Sequence, residues 1–255
     1  MLVWLFVPVT LFGQSTLTFP RLFTASDLAG TGFAIVNPGS SDATATFTLR
    51  DTSGSTIVTT TQTIDTGGQF ARLGSELFPT ASTAGWVQMT SDTSGLQGFW
   101  IGGDFATFTD GADAAPSAAS LMFPLVASNT EINIANTALA QASITISLRQ
   151  GDGTEMAAST LTIAGLGIFQ TSAGSLFSGV DISQATHILM TGGSSIAATA
   201  IVNDFLVSPS WGVVNGVNAS AMTTELDFPH VINGAGWVTS VGVTNLAATN
   251  NNVTI

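Results

Sequence analysis

Apolar and polar residues alternate along short stretches of this chain, and each stretch ends in residues typical of turns. In residues 43–49, Ala45, Phe47 and Leu49 alternate with threonines, and this period of two predicts a half-buried β-strand. Residues 51–54 (DTSG) then reverse the chain, and the threonine-rich residues 57–64 predict the hairpin partner of the strand. Roughly seven such strands per hundred residues predict antiparallel β-sandwiches.

The pattern itself repeats with a period near one hundred residues. The segment that begins at Asn37 returns at Asn136, 99 residues later, and starts again at Asn245. A Phe-Pro pair precedes each copy, at residues 19–20, 123–124 and 228–229. This period indicates tandem domains, because solenoid repeats are about 20 to 50 residues long. The sequence therefore predicts an all-β fold of tandem antiparallel β-sandwiches. The predicted repeats cover residues 19–118, residues 119–227, and an incomplete third at residues 228–255.

The first 13 residues, MLVWLFVPVTLFG, form an apolar run. A bilayer span needs about 20 residues, so this run is too short for one and is similar to the hydrophobic part of a secretory signal. We therefore predict a signal segment at residues 1–18 that lacks the usual positively charged start. The alternative is an N-terminal strand, which Pro8 would confine to the edge of a sheet.

Charge and cysteine content exclude several classes of function. Charged residues make up 8% of the chain, lysine is absent, and the net charge is −12. Nucleic-acid binding requires cations that replace the counterions of the phosphates, so this composition argues against it and against attraction to anionic membranes. There is no cysteine, which excludes disulfides, thiolate metal sites and cysteine nucleophiles.

A fixed order of short motifs marks each copy. The first copy contains, in order, Phe19-Pro20, Gly32-Phe33, Asn37, Leu49 with Gly54, Gly67-Gly68 and Leu77-Phe78. The third copy has Gly236-Trp237, whereas the second departs with Gly165-Leu166-Gly167 in place of the double glycine. This order resembles the tandem immunoglobulin-like or fibronectin-like repeats of secreted or cell-surface bacterial proteins. The resemblance implies an immunoglobulin-like sandwich, an extracellular or cell-surface location and a spacer role, although a fold alone does not define a function.

Few residues of the sequence suggest catalysis, metal binding or ligand binding. The sequence has no esterase elbow, no H-E-x-x-H motif and no Walker loop, and His187 takes the place of Trp86 in its repeat, which indicates a packed ring. We therefore expect no enzyme activity and no cofactor apart from a weak calcium site. Asp110 and Asp113 are its candidate ligands, because calcium prefers carboxylate and carbonyl oxygens. Trp211, in a link between repeats, is the candidate ligand contact, since an exposed indole can stack on a sugar ring.

Three hypotheses remain open from the sequence. The first is a non-catalytic spacer made of repeats whose partners are the neighbouring repeats of the same chain. The second is an adhesin-like module that binds a glycan or matrix polymer through Trp211. The third is a fibre subunit, in which another chain completes the third repeat by donating strands.

Overall fold

The computed structural model describes residues 14–106, 109–202, 212–221, 223, 233–234, 237–238, 241–247, 249–250 and 252. Within these residues the fold is all-β with antiparallel sheets, as the sequence predicted. The strands are β1 (Ser15–Phe23), β2 (Thr31–Val36), β3 (Ala43–Arg50), β4 (Thr56–Ile64), β5 (Gln69–Leu73), β6 (Gly85–Ser91), β7 (Gln97–Gly103), β8 (Thr109–Asp113), β9 (Ala118–Phe123), β10 (Glu131–Asn136), β11 (Ala142–Arg149), β12 (Glu155–Ile163), β13 (Ile168–Ser172), β14 (His187–Val202), β15 (Gly212–Asn215), β16 (Val217–Asn218), β17 (Asn233–Gly234) and β18 (Trp237–Val238).

The first sandwich consists of two four-stranded sheets, with strand orders β1-β6-β3-β4 and β5-β2-β7-β8. The apolar residues of the alternating strands point between the sheets, and Phe47 and Leu49 are fully buried there. Aromatic rings fill much of this core: Phe23 makes edge-to-face contacts with Phe33 and Trp100 at centroid distances of 5.6 and 5.5 Å. Such contacts stabilise a core beyond the burial of the rings alone.

The second sandwich repeats this arrangement with one continuous strand where the first has two. The first part of β14 pairs with β9 and β11, and its later part pairs with β10 and β15, so β14 corresponds to β6 and β7 together. Its core is mostly aliphatic, with Ile132, Ile134 and Ile144 fully buried. Strands β3 and β11, and likewise β4 and β12, begin 99 residues apart, which is the period found in the sequence.

The repeated asparagine closes the same turn in both sandwiches. The Asn37 amide donates to the carbonyl oxygens of Ser41, Ile64 and Asp65 at 2.8, 3.1 and 3.2 Å, and its side-chain oxygen accepts the Gly39 N–H at 3.0 Å. Asn136 makes the equivalent bonds to residues 140, 163, 164 and 138. Both asparagines are buried, so only a side chain with donors and an acceptor satisfies these backbone groups.

The third copy shows the local part of this arrangement. The Asn245 amide donates to the Thr249 carbonyl at 2.8 Å, and its oxygen accepts the Ala247 N–H at 3.0 Å. These bonds span four and two residues, as they do at Asn37 and Asn136. The described strands after residue 228 are β17 and β18, which pair with each other.

Among the described residues, three short helices and one 3₁₀ helix lie between the strands: α1 (Ala25–Ala29), α2 (Gly74–Leu77), α3 (Ala173–Leu176) and the 3₁₀ helix Ile182–Gln184. Helix α1 occupies the loop after the first Phe-Pro pair. The equivalent loop of the second copy is shorter and has no helix. In the part of the chain that is described, no helix combines the length and hydrophobicity that crossing a bilayer requires.

Several sequence predictions fall outside the described residues or stay predictions. Residues 1–13 of the predicted signal segment are not described, and strand β1 begins at Ser15. Trp211, the predicted ligand contact, is also outside the described residues. The repeat boundaries and the immunoglobulin-like classification stay predictions.

Candidate functional site

Outside the two cores, the two sandwiches meet at a junction. Strand β1 of the first sandwich lies against β10, β13 and β14 of the second, on the side of that sheet that faces away from the core. We call this surface of the second sandwich the docked face, and it includes Glu131, Asn133, Ala135, Ala197, Thr199 and Ile201. Asn133, Thr199 and Ile201 have no exposed surface, although they point outward from their own sandwich.

Trp86 forms the apolar centre of the junction. It stands at the start of β6, is fully buried, and packs with Ala135, Ile168 and Leu22. Its indole N–H donates to the carbonyl oxygen of Leu166 at 2.9 Å. A buried Trp ring supplies a large apolar contact, and this hydrogen bond satisfies its one polar group.

Polar contacts surround Trp86. The Leu22 backbone N–H donates to the Asn133 side-chain oxygen at 3.0 Å, and the Asn133 amide donates to Glu131 at 2.8 Å. Arg21 lies 3.6 Å from the same Glu131 carboxylate, and its guanidinium stands 5.5 Å from the centre of the Phe23 ring. The arginine therefore joins the aromatic core of the first sandwich to an acid of the second.

Two turns meet at the other side of the junction. The Ile168 N–H donates to the carbonyl oxygen of Thr52 at 3.3 Å. Gly54 has φ +89° and lies so close to Gly165 that a Cβ atom would collide with the Gly165 carbonyl oxygen. Both the left-handed backbone and the close approach require glycine at this position. We call Arg21, Leu22, residues 51–54 and Trp86 together the first end.

The two aspartates proposed as calcium ligands lie at this junction. The Asp110 carboxylate accepts the Gly111 N–H and, across the junction, the Val213 N–H, both at 2.8 Å. The Asp113 backbone carbonyl accepts the Asn215 amide at 2.7 Å. Burial raises the pKa of Asp110, although the two N–H donors act in the opposite direction. Strands β8 and β15 are thereby joined side by side.

These contacts give Asp110 a structural role that the sequence did not indicate. Within the described ranges, no group of three or more His, Asp or Glu side chains is placed to hold a metal ion. The calcium site at Asp110 and Asp113 stays a prediction, because nothing in these contacts tests it.

The first sandwich has the equivalent outward surface, and this one is partly exposed. Its strands β2 and β7 place Gly32, Ala34, Val36, Gln97, Phe99 and Ile101 where the docked face has Glu131, Asn133, Ala135, Ala197, Thr199 and Ile201. We call this surface the free face. Phe99 is 44% exposed and Val36 38% exposed, whereas the equivalent Thr199 and Ala135 are fully buried. An open groove of about 710 Å³ lies here, and Phe99, Val36, Gln69, Gln97 and Asp113 are among its lining residues.

His187 occupies the position of Trp86 at the equivalent end of the second sandwich. It is buried, as the sequence predicted, and its Nδ1 atom is 2.9 Å from the Thr186 hydroxyl oxygen. Burial, and secondarily the charge of Arg149, lower its pKa. The neighbours that act on the ring are thus the Thr186 hydroxyl and the Arg149 guanidinium.

Trp86 and Trp100 are both fully buried. Sequence analysis missed the polar residues of the junction, namely Arg21, Glu131 and Asn133. A signal for them existed in the repeat: equivalent outward positions carry Gly32 and Ala34 in one copy but Glu131 and Asn133 in the other.

No protein-family profile and no curated protein match the chain. Among solved structures, the chain is similar to a calcium-binding mutant of Bacteroides uniformis β-glucuronidase 2 (10% identity, TM-score 0.18) and to Bacteroides uniformis β-glucuronidase (11% identity, TM-score 0.16). A glycosyl hydrolase family 2 member from Bacteroides cellulosilyticus gives 8% identity and a TM-score of 0.16.

Each of these similarities covers 79% of this chain but only 25% to 27% of the other protein. The chain thus spans about a quarter of the length of the structures that it resembles. At these TM-scores the similarity supports no conclusion about activity.

Proposed function

We propose that this chain is a non-catalytic structural region of a secreted or surface-exposed bacterial protein, in which docked β-sandwich repeats hold their neighbours at a fixed spacing. The observation that carries the proposal is the buried junction: Trp86, Asn133 and Thr199 have no exposed surface where the sandwiches meet. Contacts between domains are usually small and polar and allow relative motion. A junction with a buried tryptophan, satisfied polar groups and closely packed turns resists bending.

The composition supports the same proposal. A surface rich in Thr and Ser with 8% charged residues gives little basis for binding charged ligands. Thr59, Thr61 and Thr63 of β4 are exposed, and the equivalent strand β12 has the same burial pattern. The two sandwiches therefore share a polar outer wall as well as a core pattern, as expected of units that serve mainly as spacers.

The stiffness of the junction can be measured directly. Because the chain has no cysteine, Thr61→Cys and Thr160→Cys introduce a single pair of labelling sites. Both positions are exposed, and they are equivalent positions on β4 and β12. We expect a narrow distribution of distances between spin labels at these sites. A distribution as broad as that of two flexibly linked domains would overturn the proposal.

A further inference from the structure

The open groove on the free face contains an exposed aromatic ring with small neighbours. Phe99 on β7 is 44% exposed, and its partners across the sheet are Ala34 on β2 and Asp113 on β8. Ala71 on β5 pairs with Ala34 in the same row. Because alanine side chains are short, the surface on this side of Phe99 is low. A flat ligand ring with an apolar face can therefore lie on the phenyl ring and the adjacent alanines.

Polar groups of the groove lie next to this ring. Gln69 and Gln97 pair with Val36 from opposite sides, and Val36 lies two residues after Ala34 on the same side of β2. Both glutamines and Asp113 are exposed and line the groove, so a ligand can reach their polar atoms. An amide donates and accepts hydrogen bonds and a carboxylate accepts them, and hydroxyl groups can satisfy both.

The charge of the groove disfavours anionic ligands. The described residues that line it include Asp113 but no cationic side chain, and the whole chain has a net charge of −12. A phosphate, sulfate or uronate group would meet a carboxylate here without a cation to pair with. The lining therefore fits a ligand that is neutral, carries several hydroxyl groups and presents an apolar face. A chain of neutral sugar units has all three properties.

The equivalent positions of the docked face are suited to a different partner. There Ile168 packs against Trp86, and the Asn133 side chain accepts a backbone N–H of the first sandwich. The register places Gln69 at the position of Ile168 and Ala34 at that of Asn133. The free face thus lacks the apolar contact and the acceptor that hold a sandwich. It has an exposed ring and accessible amides instead, which suit a hydroxyl-bearing ligand.

We propose that the groove on the free face binds a neutral polysaccharide. A sugar ring stacks on Phe99, and sugar hydroxyls form hydrogen bonds with Gln69, Gln97 and Asp113. A mainly apolar surface with a few polar groups is typical of ligand sites, and because this groove is open it admits a polymer. The inference goes beyond the proposed function, because a spacer needs no ligand. A spacer that binds a polysaccharide also attaches the protein to that polymer.

Affinity electrophoresis of the full chain through native gels that contain a soluble polysaccharide tests this site. The neutral probes are hydroxyethyl cellulose, laminarin, galactomannan and dextran. We expect at least one of them to retard the chain. The carboxymethylated form of the same polymer should retard it less, because the added carboxylates meet Asp113 without a cation nearby.

Four variants locate the contact. Phe99→Ala removes the stacking ring and should weaken binding about tenfold, whereas Phe99→Trp should retain it. Gln97→Ala removes one exposed hydrogen-bonding group and should weaken binding about threefold. Phe105→Ala is the matched control, because Phe105 is 52% exposed but does not line the groove, and this variant should bind as the wild type does. Unchanged urea midpoints show that the variants are folded.

Other outcomes would overturn the inference. Failure of every neutral polymer to retard the chain would contradict it, as would equal losses in Phe99→Ala and Phe105→Ala. Retardation that Trp211→Ala removes and Phe99→Ala leaves unchanged would place the sugar contact in the link between repeats. Self-association of the wild type that Phe99→Ala abolishes would assign the groove to a second copy of the chain. The spin-label distance between residues 61 and 160 does not depend on these results, so the proposed function is tested separately.

Discussion

The docked face of the second sandwich and the free face of the first share one strand arrangement, and a few side chains make one of them bind and leave the other open. In both, two neighbouring strands pair in the same register and present three outward residues each. The docked face offers Asn133 and Glu131 to specific partners, whereas the free face has Ala34 and Gly32 there. Thr199 is replaced by the larger Phe99. The two faces therefore share the geometry of the sheet, and their outward side chains determine what each face can bind.

The largest expected effect is that of removing the centre of the junction. Trp86→Ala deletes a fully buried ring and leaves the Leu166 carbonyl without its donor, so we expect a loss of about 3–5 kcal/mol in the free energy of unfolding. The matched change on the free face, Phe99→Ala, should cost less than about 1 kcal/mol, because that ring is 44% exposed. Urea denaturation of the full chain measures both.

The spin-label pair adds a second test of the same comparison. Trp86→Ala should broaden the distance distribution between residues 61 and 160, and Phe99→Ala should leave it narrow. Equal losses of stability in the two variants, with no change in either distribution, would mean that the docked face contributes no more to the fold than the free face does.

A smaller effect is expected at the polar part of the junction. Asn133→Ala leaves the Leu22 N–H without an acceptor in a buried place, at a cost of about 1–3 kcal/mol. The reverse change on the free face, Ala34→Asn, should alter stability by less than about 0.5 kcal/mol, since solvent can satisfy an amide there. A cost for Ala34→Asn as large as that for Asn133→Ala would show that the free face is covered in solution by another part of the chain.

The sequence predicted the repeat and the strands because both depend on local pattern. Period-two alternation in residues 43–49 follows from one buried side of a sheet, and this is the burial observed in β3. Asn37 and Asn136 stood out by their spacing, and the structure supplies the reason, since each closes a turn through four hydrogen bonds of its side chain.

The junction could not be predicted in the same way. Residues such as Asn133 and Thr199 occupy the outward positions of strands, which pattern analysis assigns to solvent. Their burial depends on where a second sandwich lies, and that depends on β1 and on contacts more than one hundred residues apart, such as Leu22 with Asn133. Asp110 is an example: its sequence suggested a calcium ligand, which stays a prediction, and did not indicate that its carboxylate accepts the Val213 N–H across the junction.

The smallest expected effect is on the pH dependence of stability, to which Trp86 of the first sandwich and the equivalent His187 of the second should contribute differently. The first end has Trp86, which does not titrate, but the equivalent position of the second sandwich has His187, whose pKa is lowered first by burial and then by Arg149. An unfolded histidine binds a proton near pH 6.5, and the folded His187 does so only at lower pH. Below about pH 6.5 the unfolded state therefore binds more protons, so stability falls as pH falls and is fully retained above that value.

The measurement is the urea midpoint between pH 7.5 and 5, for the wild type and for His187→Phe. We expect the midpoint of the wild type to fall with pH more steeply than that of the variant. Because the other histidine, His230, is present in both proteins, the difference between the two slopes reports residue 187 alone. If the slopes were equal, His187 would have the same pKa in the folded and unfolded states. A histidine in place of the tryptophan would then change the size of the side chain at this position but not the response of the second sandwich to pH.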